Sequence, residues 1–229
     1  MKSSKAECLP PAMLIFLVSC SVPQRTDTAQ ASPVGDAERL QMHQSLVGMD
    51  AIKDAVIEGD LELATSHAQP IIDNAFEDAP EAWRPHLDQF RAAGAEIADA
   101  TSLNDAAYHL ARMGMACGGC HRAVGVTISL PQGKPALEPN PMRRHQWAVD
   151  KMWDGLVVPS DDAWVGGATA VASSPLLPEQ FSEGAVARWE DTVHRLGREA
   201  ASQSGEARAS SFGELLTTCS ECHRAVRPF

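Results

Sequence analysis

The chain has 229 residues and a formal net charge of −11 at pH 7, with 30 acidic side chains against 19 basic ones. That excess of carboxylates argues against nucleic acid as a partner and for basic patches on other proteins. The length allows one large or two small domains, and scarce aromatics, abundant alanine and short β-branched runs favour helices over sheets.

The N-terminus is basic through Lys2 and Lys5, and a short apolar run from Leu9 to Val18 follows. About ten apolar residues are too few to span a bilayer but suit the h-region of a signal peptide. The run ends in Leu17-Val18-Ser19-Cys20, which resembles a bacterial lipobox. The expectation is a removed leader at 1–19, lipid modification of Cys20, and a flexible tether over 20–35 rich in Ser, Thr, Gln and Pro. Cleavage as an ordinary signal peptide near Thr28-Ala29 is the competing reading.

Downstream, the pattern predicts a first helix over 36–58, with Gly59-Asp60 as its stop and the next cap. A second helix runs over 61–76, with Pro70 expected to kink it or end it early. The third covers 81–98 and tolerates Pro85 in its first turn. The fourth starts after the cap candidates Thr101 and Ser102 and carries Ala106, Leu110, Met113 and Ala116. A proline-rich linker covers 126–141. The plan then repeats as helices over about 142–157, 161–173, 179–203 and 206–224, the second of these weakened by Gly166-Gly167.

The fourth helix of each set closes on the same short motif. Cys-Gly-Gly-Cys-His occupies 117–121 and Cys-Ser-Glu-Cys-His occupies 219–223. Two CxxCH motifs are the signature of covalently attached c-type haem: two thiols add to the vinyl groups, and the next imidazole reaches the iron. Cys117, Cys120 and His121 would hold one haem, and Cys219, Cys222 and His223 a second. A zinc site would want more Cys or His at ligand spacing, and a redox CxxC usually opens a helix after a strand. Neither context is present. Only Cys8 and Cys20 remain, so no cysteine pair is left for a disulfide in the body of the chain.

Cys219 follows Cys117 by 102 residues, and the same shift maps His43 onto His145, Val47 onto Val149 and Asp60 onto Asp162. Arg122-Ala123-Val124 likewise maps onto Arg224-Ala225-Val226. This reads as a duplication, with one haem module over 36–125 and another over 142–229.

Four helices with CxxCH near the end of the last resemble the class II c-type cytochromes, the cytochrome c′ family. The resemblance covers both halves; the haem motifs carry it and the helices match only in pattern. It implies an all-α chain of two tandem antiparallel four-helix bundles, each holding one covalent haem c, in which the start of the first helix lies beside the end of the fourth. The far-side iron ligand is then expected early in the first helix, where His43 and His145 stand. Leu40, His43, Val47 and Ala51 share one helical stripe, and Met142, His145, Val149, Trp153 and Leu156 another, so both histidines are expected to face the core. Methionine is the competing ligand, but none recurs at the 102-residue shift. His67, His86, His109 and His194 also lack partners at that shift and read as surface or local residues; Arg122 and Arg224 are possible propionate partners.

Iron held by two imidazoles has no place for a substrate. The expected function is electron transfer by an exported, lipid-anchored dihaem protein on the periplasmic side of a bacterial membrane, between redox proteins or within a membrane complex, and not catalysis. Binding of a small gas such as NO or CO at five-coordinate iron is the alternative. Dihaem oxidoreductase activity is a third reading, for which no positioned acid or base appears.

Overall fold

The computed structural model describes residues 34–73, 76, 79–130, 140–175 and 187–226. They form eight α-helices and one 3-10 turn, with no strand among the described residues, so the chain is all-α as expected. The leader at 1–19, Cys20, most of the tether and 131–139 of the linker lie outside the described residues. No helix among those described is long and apolar enough to cross a membrane.

The caps show why the helices begin and end where they do. Helix α1 (Asp36–Glu58) starts with Asp36 and Glu38 against the positive end of its dipole. It stops at Gly59, whose left-handed φ of 82° lets the Asp60 N–H reach the Ala55 carbonyl at 2.9 Å. The Asp60 carboxylate then accepts from the Leu63 N–H at 2.8 Å and opens α2 (Leu61–Asp73). Pro70 sits inside α2, which ends three residues short of the expected Phe76. A 3-10 turn (Glu81–Trp83) leads into α3 (Arg84–Ala98), with Pro85 in its first turn as anticipated. Ser102 caps α4 (Leu103–Ala123) through the Asp105 N–H at 3.1 Å. Asn140 caps α5 (Pro141–Val157) and Ser160 caps α6 (Asp161–Ser173). Helix α7 (Ala187–Ala200) is shorter than the expected 179–203, of which 179–186 lie outside the described residues, and α8 (Glu206–Val226) completes the chain.

Helix α1 packs on α2, α2 on α3, α3 on α4, and α1 on α4. In the second half α5 packs on α6, α6 on α7, α7 on α8 and, more narrowly, α5 on α8. The halves meet through α4 against α8, α1 against α8, and α4 against α5. One continuous apolar core results. Its close approaches depend on small residues. A Cβ on Gly118 of α4 would lie 2.2 Å from the Leu156 carbonyl oxygen of α5, and one on Gly167 of α6 would lie 2.6 Å from the Ala148 carbonyl oxygen of α5. Gly167 therefore joins α5 to α6, and α6 runs unbroken through both glycines.

Trp164 is fully buried, and its indole N–H donates to the Ala200 carbonyl at 2.8 Å. Truncation to alanine opens a large cavity and strands that carbonyl, so Trp164→Ala should cost about 3–5 kcal/mol in denaturant unfolding.

One buried charge spans the halves. The Lys53 ammonium of α1 donates to Asp150 of α5 at 2.7 Å and lies 3.4 Å from Asp50. Burial alone would lower its pKa, but Asp150 and the neighbouring carboxylates outweigh that, and the net shift is upward from 10.5. A raised folded-state pKa stabilises fully below the unfolded value and is lost as pH climbs through the folded one. Lys53→Met should therefore destabilise by about 1 kcal/mol at neutral pH, because Asp150 stays half in water. The deficit relative to wild type should shrink above the ordinary lysine range, which thermal unfolding across an alkaline pH series would check.

Candidate functional site

The last turns of α4 and α8 carry the two CxxCH motifs. Spacing of three and four residues brings both thiols and the imidazole onto one face of a helix. All four cysteines are unpaired. Burial pushes the Cys117 and Cys219 thiols up to about 12 and raises Cys120 and Cys222 as well. Such thiols stay protonated at neutral pH and make poor redox nucleophiles. Among the described residues no three His, Cys, Asp or Glu side chains converge as a metal-binding group.

Each motif opens into its own cavity. Site 1, of about 680 Å³, is lined by Cys117, Cys120 and His121 together with Met49, Phe76, Trp83, Leu87 and Phe90. Site 2, of about 410 Å³, is lined by Cys219, Cys222 and His223 with His145, Val149, Trp189, Val193 and Leu215. Both volumes lie within the ordinary range for cofactor pockets. The halves also complete one another's sites. Val157 and Val158, at the end of α5, line site 1, whereas Ile57 and Glu58, at the end of α1, line site 2.

The imidazoles are set up as neutral donors. The Nδ1–H of His121 donates to the Val157 carbonyl at 2.9 Å, which leaves the lone pair on Nε2. Burial lowers the pKa of His121. A ring nitrogen held by a backbone carbonyl is the usual outer support of a metal-binding histidine. His145 is 5% exposed and its pKa is lowered, first by burial. Its Nε2–H donates to the Ser174 carbonyl at 2.8 Å, leaving Nδ1 as the lone-pair nitrogen. These thiols, imidazoles and apolar walls fit a covalently bound haem in each cavity.

The first half departs from the sequence expectation. His43 does line site 1, but its side chain is exposed, and its stripe lies outside the core, with Leu40 57% and Val47 55% exposed. The inner face of α1 instead carries Ser45, Met49, Ile52, Lys53, Ala55 and Val56. Shifted by 100 residues, all six fall on buried positions of α5: His145, Val149, Met152, Trp153, Gly155 and Leu156. Ala64, Ala68 and Ile71 of α2 fall on buried Trp164, Ala168 and Val171 at the same shift. The 102-residue shift holds for α4 against α8, where Ala107, Leu110 and Met113 match Ala209, Phe212 and Leu215. The register changes because the α6–α7 connection is longer than the α2–α3 connection. Ser45, not His43, therefore stands where His145 stands. At this register one methionine does recur: Met42 and Met142 line sites 1 and 2.

Two histidines read from the sequence as surface or local residues lie near the sites. His86 lines site 1, and its buried Nδ1, without a hydrogen-bond partner among the described residues, lies against Gly119 of the first motif. His194 stacks near His145 at 6.5 Å and donates to the same Ser174 carbonyl at 2.9 Å. Neither has a counterpart at the repeat shift, so recurrence could not reveal them. Arg122 and Arg224 are exposed and line neither cavity; Arg39 lines site 1, and Arg143 lines site 2. No family model, curated protein or solved structure matches the chain.

Proposed function

We propose that the chain is an exported c-type cytochrome carrying two covalent haems and passing electrons between redox proteins, with its helices arranged as two class II-like four-helix bundles in tandem. The observation that carries the reading is that each CxxCH motif lines a cavity of its own and presents its imidazole there, His121 in site 1 and His223 in site 2. Haem bound in each cavity would supply a one-electron iron centre. Cys117 and Cys120, and Cys219 and Cys222, would anchor the groups covalently, with His121 and His223 as the near-side ligands. His145, buried in the lining of site 2, would offer the iron there a second imidazole. Arg39 at site 1, and Arg143 with Lys53 at site 2, offer the cations that propionates would seek. Attachment of haem at CxxCH outside the cytoplasm fits export, and Cys20 would anchor the protein to the periplasmic face of a membrane.

One observation favours gas binding as a second reading, confined to site 1: Ser45 there replaces the buried imidazole of site 2. Rapid mixing of the reduced protein with carbon monoxide separates the readings. Electron transfer with a closed site 2 predicts reversible uptake of two electrons per chain and no fast carbon monoxide binding at site 2. Fast binding at both sites, with high-spin iron throughout, would overturn it. His145→Ala should open site 2 and add a fast-binding phase of equal amplitude.

A further inference from the structure

Building on that reading, we infer that the two sites are unequal and ordered: site 2 is the low-potential centre, site 1 the high-potential one, and electrons run from site 2 to site 1. Three features point the same way. The first is the register of the opening helices. The place that puts buried His145 on the wall of site 2 holds Ser45 in site 1, which α1 lines also with the thioethers Met42 and Met49 and with His43, whose side chain is exposed. A second imidazole favours ferric iron, whereas a thioether raises the potential.

The second feature is charge. Site 2 is lined by Asp54, Glu58, Asp150 and Glu190 against the two cations Lys53 and Arg143. Site 1 has Arg39 and, among the described residues, no lining carboxylate. A surplus of negative charge at the wall stabilises the more positive, oxidised metal. The third feature is the setting. The walls of site 1 are mainly Met, Phe, Trp, Leu and Val, and a low dielectric disfavours the oxidised form's additional charge.

Two features work against this order: His86, whose buried Nδ1 has no partner among the described residues, also lines site 1, and one hydrogen bond acts there. The hydrogen bond from His121 to Val157 makes that imidazole more basic and lowers the potential of site 1, while the buried Nδ1 of His223 has no partner among the described residues. That bond joins neutral groups, and His86 stands on α3 rather than on the helix position that carries His145, whereas the excess of carboxylates at site 2 acts whatever the ligand, so the two features narrow the gap without reversing it.

The crossed walls give the order a route. The Val157 carbonyl that holds His121 belongs to the helix that carries His145, and Ile57 of the first half lines site 2. The two sites thus share walls across the packed α4–α8 contact.

The test is a potentiometric titration of the full chain with both haems attached, followed by optical and EPR spectra. Two resolved one-electron steps are expected, with the bis-imidazole low-spin signal vanishing at the lower step. His145→Met should shift that step upward towards the other, and Glu190→Gln should shift it upward with the bis-imidazole signal retained. Ser45→His should move the upper step down. One unresolved step, or loss of the bis-imidazole signal at the higher step, would overturn the order. Either result with two haems per chain by intact mass would leave the electron-transfer reading standing. Fewer than two haems would sink that reading itself.

Discussion

Replacing both Cys117 and Cys120 by serine should halve the covalently bound haem, from two groups per chain to one, as read by haem absorbance against protein concentration in denaturant. The two thiols are the only cysteines lining site 1 among the described residues, and the site 2 pair lies on a different helix in a different cavity. Neither pair can substitute for the other. The loss should also reach stability. Met49, Phe76, Trp83, Leu87 and Phe90 face a cavity of about 680 Å³, and without haem these walls face water or collapse. Thermal unfolding of the double variant should therefore begin at a markedly lower temperature than that of the parent. An unchanged haem content would mean that the first motif does not attach the group.

The second large effect is expected one turn before His121. Gly118→Val should destabilise by about 3 kcal/mol or more and weaken the support of His121 together with the fold. A Cβ there would meet a backbone oxygen, that of Leu156, at 2.2 Å, and a carbonyl in a packed helix cannot rotate away as a side chain can. Helix α4 would have to part from α5, and the 2.9 Å bond from His121 to the Val157 carbonyl depends on that contact. Gly166→Ala is the matched control. A Cβ at Gly166 meets nothing within 4 Å, so the substitution should stabilise α6 by about 0.5–1 kcal/mol. Denaturant titration of the two variants separates a glycine needed for close approach from one that merely weakens its helix.

Helix boundaries were legible in the sequence because their signals are local. Gly59-Asp60 and Ser102 act through turns and caps that need no knowledge of the rest of the chain. Both CxxCH motifs were legible for the same reason, since each is compressed into five residues. The far side of site 1 was not. His43 was chosen because it recurs at the distance between the two motifs, but that distance includes a connection whose length differs between the halves. Loops accept such changes readily, so a shift measured at the fourth helix does not apply to the first. The apolar stripe misled as well. The inner face of α1 includes Ser45 and Lys53, and the exposed face includes Leu40 and Val47, the reverse of what hydrophobicity suggests. Lys53 is inside because Asp150, nearly a hundred positions away, neutralises it, and no pattern within α1 announces that partner.

The reading of two modules separated by a linker carried no sign of how the helices of the two halves pack on one another. The α4–α8 contact and the crossed lining of the cavities depend on glycine and alanine positions that look like ordinary helix formers or breakers in one dimension. His86 and His194 read as surface or local residues because a histidine without a repeat partner carries no further signal until the fold places His86 in the lining of site 1 and His194 beside His145.

The most direct test is the intact mass of the purified, denatured full chain, produced in cells that attach haem to CxxCH. Two haem increments per polypeptide, each lost on replacing its own cysteine pair, is the expected result. A polypeptide mass with no increment, or with zinc retained under native conditions in place of haem, would contradict the account.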